Sequence, residues 1–162
     1  MALHPLVRKF RSAWCLPLRE KLWILLLYPY SGLIRASMYL FHFRVLSRAL
    51  GHHHQNYTLS PLVSEFQQLR AWRIGRIVEL TARYTPWESK CLVQAAMART
   101  LLGLYGIPYI LHIGALMTHD DIEPLKAHAW VKVGHGIITG REGHRAFGIV
   151  SSFVSPSLLN HD

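Results

Sequence analysis

Cysteine is scarce: the 162 residues contain only Cys15 and Cys91. Two thiols make neither a disulfide framework nor a zinc-finger spacing, and they suit a reducing compartment. Acid is scarce in one half. Residues 1–83 hold 12 Lys/Arg against 3 Asp/Glu, while residues 84–162 hold 6 against 6, so the net charge of +9 comes entirely from the first half. A basic, apolar N-terminal half points to an acidic partner, an anionic membrane face or nucleic acid. Nucleic acid fits least, because the arginines are spread through apolar helical pattern without a dense block or a recognisable binding motif.

Long uninterrupted apolar runs are also missing. The longest uncharged run in the basic half, Leu22 to Ile34, is 13 residues and contains Pro29 and Gly32. The later run, Thr100 to His119, is broken by Gly103, Gly106, Pro108 and Gly114. A spanning helix needs about 20 apolar residues, so no transmembrane segment is expected and an interfacial helix stays open. Arg8, Lys9 and Arg11 are followed by Trp14-Cys15-Leu16-Pro17, which is no signal-peptide pattern. The expected location is the cytoplasm, with peripheral contact at the inner membrane face left open.

What is present is apolar: 51% of residues, with 11% aromatic, enough for one real core in a chain of this length. Residues 5–17 suggest a short helix. Residues 18–50 read as helical, broken around Tyr28-Pro29-Tyr30-Ser31-Gly32 and ended at Gly51. His52-His53-His54 reads as a solvated linker. Ser60 and Pro61 mark the next helix start, whose apolar face is expected to hold Leu62, Phe66, Leu69, Ile77, Leu80 and Tyr84. Another helix runs to about Tyr105, where Gly106-Ile107-Pro108 stops it, and strands are expected over 109–114, 126–133, 136–139 and 146–151, with an acidic loop over 115–125. The division is 1–56 for the basic helical region and 57–162 for the rest. The fold class is α+β, a central helix with a small antiparallel sheet packed on it.

The chemistry concentrates in two places. Trp87-Glu88-Ser89-Lys90-Cys91-Leu92 puts a thiol at a helix start, and Lys126-Ala127-His128-Ala129-Trp130-Val131 puts an imidazole on an alternating strand 37 residues later (128 minus 91). A thiol with an ordinary pKa of about 8.5 needs a helix N-terminus or an imidazolium beside it to become a thiolate at neutral pH. With Thr85 as N-cap, Cys91 falls in the second turn, where the dipole helps little; with Ser89, the favoured cap, it falls at the second helical position, where the dipole acts fully. On the strand, Ala127, Ala129, Val131 and Val133 form the core-facing set, leaving His128 and Trp130 on the other face. There Trp130 is expected to wall a peptide groove.

This chain order is that of papain-like and transglutaminase-like thiol enzymes. The motifs Trp87-x-Ser89-x-Cys91-Leu92, Gly106-Ile107-Pro108, Leu111-His112-Ile113-Gly114 and Ala127-His128-Ala129-Trp130-Val131 resemble the lasso peptide leader peptidases, transglutaminase-like cysteine proteases of lasso peptide maturation. The stretch Phe43 to Gly51 is similar to the helical lead-in of that family's free-standing form. The resemblance implies Cys91 as nucleophile, His128 as general base and then acid, and Trp87 with Trp130 beside the substrate. It implies a ribosomally made precursor as substrate, a small leader-recognition protein as helper and a separate ATP-dependent macrolactam cyclase acting afterwards. No metal or cofactor is implied. One position departs from the family's pattern: the aspartate expected about a dozen residues after the histidine is absent from Gly136-Ile137-Ile138-Thr139-Gly140. Glu142 is the nearest acidic substitute, and Thr139 offers only a neutral hydrogen bond. A Cys-His dyad is the further option.

Other readings stand beside this one. Among 11 histidines, His112, His119, His128, His135 and His144 show no i, i+4 pair of the zincin kind, which counts against a metal hydrolase. A catalytically degenerate, precursor-binding or membrane-docking protein is the non-enzymatic alternative. Amine transfer through the same thioester is the second enzymatic one.

Overall fold

The computed structural model describes residues 17–40, 52–54, 60–118 and 124–159. The helix expected over 5–17, the helix end at Gly51 and the acidic tip His119 to Glu123 lie outside these residues. The architecture is α+β: two of the three main helices lie against a five-stranded antiparallel sheet, and the first packs on those two helices.

Helix α1 (Leu18–Leu40) runs unbroken through Pro29, correcting the expected break. Proline removes the donor for the Leu25 carbonyl. Leu25 and Pro29 are both exposed, so water can reach that carbonyl. The core grips the helix on both sides of the gap, through buried Trp23 and Leu27 before it and part-buried Ile34 and Met38 after it.

Helix α2 (Glu65–Tyr84) starts at Ser64 rather than Ser60. Ser64 Oγ accepts from the Gln67 N–H at 3.2 Å and the Ser64 N–H donates to Gln67 Oε1 at 2.9 Å, a complete capping box. Its buried face also differs from expectation. Ala71, Ile74, Gly75, Ile77 and Val78 are buried, whereas Leu62, Phe66, Leu69 and Tyr84 are exposed. The face that lies on the sheet is the one centred on Gly75, where a Cβ would sit 2.3 Å from the Ile138 carbonyl oxygen, and this turns Phe66 and Leu69 outward.

Helix α3 (Cys91–Leu104) ends where Gly106 predicts. Gly106 adopts φ +59°, its N–H bonds Gly103 O at 3.1 Å, and the Ile107 N–H bonds Leu102 O at 2.9 Å. This is a Schellman stop.

The strands are β1 (His52–His54), β2 (Ile110–Met117), β3 (Leu125–Val133), β4 (Gly136–Thr139) and β5 (Gly148–Val154), in the order β1-β5-β2-β3-β4. A 3₁₀ turn, His144–Ala146, precedes β5, and a short helix α4 (Pro156–Leu159) follows it. The histidine triplet is therefore not a loop. It pairs antiparallel with β5, His53 opposite Phe153, as an edge strand. Edge strands satisfy backbone groups on one side only and need no alternating apolar pattern to announce themselves.

The core lies between α3 and the sheet: Val93, Ala95, Met97, Ala98 and Leu102 meet Leu111, Ala129, Val131, Val133 and Phe153. The expected core-facing residues of β3 from Ala129 onward are thus buried. Trp23 and Leu27 of α1 join the same cluster, so residues on both sides of position 56 share one core. No helix among the described residues is long and apolar enough to cross a membrane.

Candidate active site

Cys91 is the first residue of α3, with Lys90 as N-cap in extended conformation (ψ 174°). The helix begins one residue later than the Ser89 cap predicts, which moves the thiol closer to its positive end. As the first helical residue, Cys91 has an N–H without an intrahelical acceptor, and the aligned peptide dipoles favour negative charge there. Polar contacts fix the approach to this turn. Thr85 Oγ1 lies 2.9 Å from Ser89 Oγ, and Gln94 Nε2 donates to Ser89 O at 2.9 Å. Buried Ala95 and Ala98 one turn on let β3 approach the helix closely.

His128 sits on β3 opposite Gly114 of β2, half-buried. Its Nε2 is 2.9 Å from the Gly140 carbonyl oxygen. A carbonyl only accepts, so Nε2 carries a proton, and in the neutral ring Nδ1 holds the lone pair. Gly140 follows β4 with φ +69°, in the left-handed region that glycine alone enters freely, and a Cβ there would lie 2.3 Å from Ala129 O. The ring of His128 stacks on Trp130 (centroids 5.9 Å, 26°) and packs against Phe147 (5.1 Å).

Cys91 and His128 line one open cleft of about 940 Å³. Helix α2 supplies Trp72, Arg76, Glu79 and Arg83 to its wall, and the segment after β4 supplies Gly140, Arg141 and Glu142. Arg141 lies over the Trp72 ring at 4.8 Å. The sequence-nominated pair therefore shares a cavity. Glu142 also reaches it but forms no hydrogen bond or ion pair with His128 among the described residues. Thr139 Oγ1 is buried with no hydrogen-bond partner, so it does not hold the imidazole either. The group that orients His128 is a main-chain oxygen, whose only trace in the sequence is the glycine needed for the turn.

The two tryptophans are placed differently from expectation. Trp130 is 4% exposed and lies outside the cleft lining. It packs over Gly114, where a Cβ would come within 2.8 Å of its ring, and between His112 (5.5 Å) and His144 (5.9 Å). The 3₁₀ turn and Phe147 thus cover what sequence alternation leaves open, and Trp130 backs His128 instead of walling a groove. Trp87 is also outside the cleft. Its Nε1 donates to buried Ser31 Oγ at 3.1 Å, and its ring packs on Tyr28 at 5.4 Å and tightly over Gly32. It fastens α1 to the segment leading into Cys91.

Beneath Trp130, His112 is buried with Nδ1 2.7 Å from Ser152 Oγ. Burial first, and the Lys132 charge second, lower its pKa from 6.5 to about 4, so this ring is neutral at pH 7. Among the described residues no three His, Cys, Asp or Glu side chains are grouped as metal ligands.

The arrangement, a thiol at a helix start and an imidazole on the second strand after it with Nδ1 left to accept a proton, can carry out acyl transfer. Comparison with known proteins agrees with that chemistry. The model of the transglutaminase-like superfamily matches residues 37–152, which hold both Cys91 and His128. No curated protein and no solved structure matches the chain. With its helix-borne cysteine, strand-borne histidine and a family match over most of its length, the chain belongs to the transglutaminase-like superfamily.

Proposed function

We propose that the chain is a cysteine peptidase that removes the leader from a ribosomally made lasso peptide precursor. The observation that carries this reading is the His128 hydrogen bond to Gly140 O within the cleft that also holds Cys91. It fixes the tautomer a general base requires without the missing aspartate. Superfamily membership supports thiol acyl chemistry, and the four ordered motifs support the lasso substrate.

In the proposed reaction Nδ1 of His128 takes the Cys91 thiol proton, and Sγ attacks the carbonyl carbon at the end of the leader. The tetrahedral oxyanion receives the Cys91 N–H at the helix start. The C–N bond breaks as His128 returns the proton to the leaving amine, which is the new N-terminus of the core peptide. Water, deprotonated by His128, then attacks the thioester carbonyl; the C–S bond breaks, the leader leaves as the free acid, and His128 returns the proton to Cys91 Sγ. A small leader-recognition protein presents the precursor, and an ATP-dependent cyclase closes the macrolactam on the released amine.

The test incubates the protein with a precursor and its leader-recognition partner and reads cleavage by mass spectrometry. Wild type yields leader and core, while Cys91→Ala and His128→Ala yield neither. Cleavage by Cys91→Ala at the wild-type rate sinks the proposal. A leader carrying an added amine in place of the free acid identifies amine transfer, which uses the same thioester.

A further inference from the structure

Helix α1 is apolar on two opposite sides. Trp23, Leu27 and Ser31 face the core and are buried. Leu18, Leu22, Leu25, Leu26, Leu33 and Leu40 lie between 51% and 76% exposed. At 3.6 residues per turn these six leucines fall within about 100° of one another, on the side away from the core. Pro29 and Ala36 are exposed in the same arc, and no charged residue interrupts it. Monomeric proteins rarely leave a contiguous apolar strip of this extent bare.

The charges around the strip identify what covers it. Over residues 1–40 the sequence holds six Lys/Arg against Glu20 alone, and within α1 Arg19 and Lys21 fall on either side of the strip at its N-terminal end, while Arg35 turns to the core side and pairs with Glu88 at 3.6 Å. A second copy of so basic a segment is repelled, whereas an anionic surface is attracted. The strip also lacks the aromatic anchors and directional polar groups that mark the centre of a protein interface. Leucine flanked by cations is the composition of a helix lying in the plane of a membrane interface. We propose that the outward face of α1 docks on an anionic lipid bilayer, its leucines in the acyl boundary and the positive charge of its N-terminal end toward the headgroups, which holds the Cys91 cleft at the membrane surface.

The experiment is co-sedimentation of the intact protein with vesicles of equimolar phosphatidylglycerol and phosphatidylcholine, and with phosphatidylcholine alone. Wild type pellets with the anionic vesicles, and less so as ionic strength rises. Removing an exposed leucine from the apolar layer costs about tenfold in partitioning, so Leu25→Glu with Leu33→Glu lowers it at least about a hundredfold. The double variant keeps the wild-type circular dichroism and Cys91 alkylation rate, because neither leucine is in the core. Wild type that ignores anionic vesicles, prefers neither composition, or binds as well after both substitutions overturns the proposal. So does concentration-dependent self-association that the same substitutions abolish, which assigns the strip to a second copy.

Discussion

Replacing Gly140 by alanine tests how His128 is held. At φ +69° an L residue costs roughly 1–2 kcal/mol relative to glycine. The new Cβ would also sit 2.3 Å from Ala129 O and 3.0 Å from Trp130 Cα, both main-chain atoms that cannot swing aside. Overpacking of this kind costs about 1–3 kcal/mol. The total, about 2–5 kcal/mol, lowers the melting temperature by roughly 5–20 °C in a chain of this size. Relief requires the turn after β4 to move, and the Gly140 carbonyl moves with it. His128 then loses a hydrogen bond of about 1 kcal/mol net, equivalent to roughly fivefold in rate. The assay is calorimetry together with Cys91 alkylation at pH 7 in a Cys15→Ser background, at a temperature where the variant is folded. An unchanged melting temperature with an unchanged alkylation rate refutes the account.

Glu142→Gln, by contrast, leaves turnover within about twofold, since removing a charge not bonded to the imidazole forfeits little; a tenfold loss in precursor cleavage restores Glu142 as the third member. His112 predicts a pH dependence of stability. Its folded pKa of about 4 lies below the unfolded 6.5, so the unfolded chain binds the proton more readily. The stability is fully present above pH 6.5 and is lost as pH falls toward 4, about 3 kcal/mol in all. Urea unfolding at pH 7.5 and 4.5 measures this slope, and His112→Gln flattens it. Trp87→Phe removes the hydrogen bond to buried Ser31 and costs about 1–2 kcal/mol in chemical denaturation, with the catalytic pair left intact.

The parts of the fold legible in sequence are those where local chemistry and tertiary packing agree. Gly106 has to end α3, and it does so because a left-handed residue is required there. The alternation of β3 puts Ala129, Val131 and Val133 in the core, and the helix-start cysteine and strand histidine reach one cleft. Legibility fails where packing overrides pattern. Phe66 and Leu69 of α2 are left outside because the close approach at Gly75 turns a different face, with Ile74 and Val78, onto the sheet. Pro29 does not break α1 because the core holds both halves. Trp130 is covered by the turn that carries His144, and Phe147 packs on the neighbouring His128, both outside β3. The acceptor on His128 escapes a search for side chains because it is a peptide oxygen.

The strand order separates the sheet into parts of unequal range. β2, β3 and β4 are consecutive along the chain, so the hairpins under His128 close short loops. The β1–β5 edge joins residues 100 apart, His53 opposite Phe153. Closing the longer loop costs more chain entropy, and three paired residues return little for it. The edge is therefore the part of the sheet that opens most readily, below the free energy of global unfolding. In hydrogen exchange, amides of β1 give up their protons before those of β2 and β3. The strands beneath the imidazole stay registered while the rim of the sheet breathes.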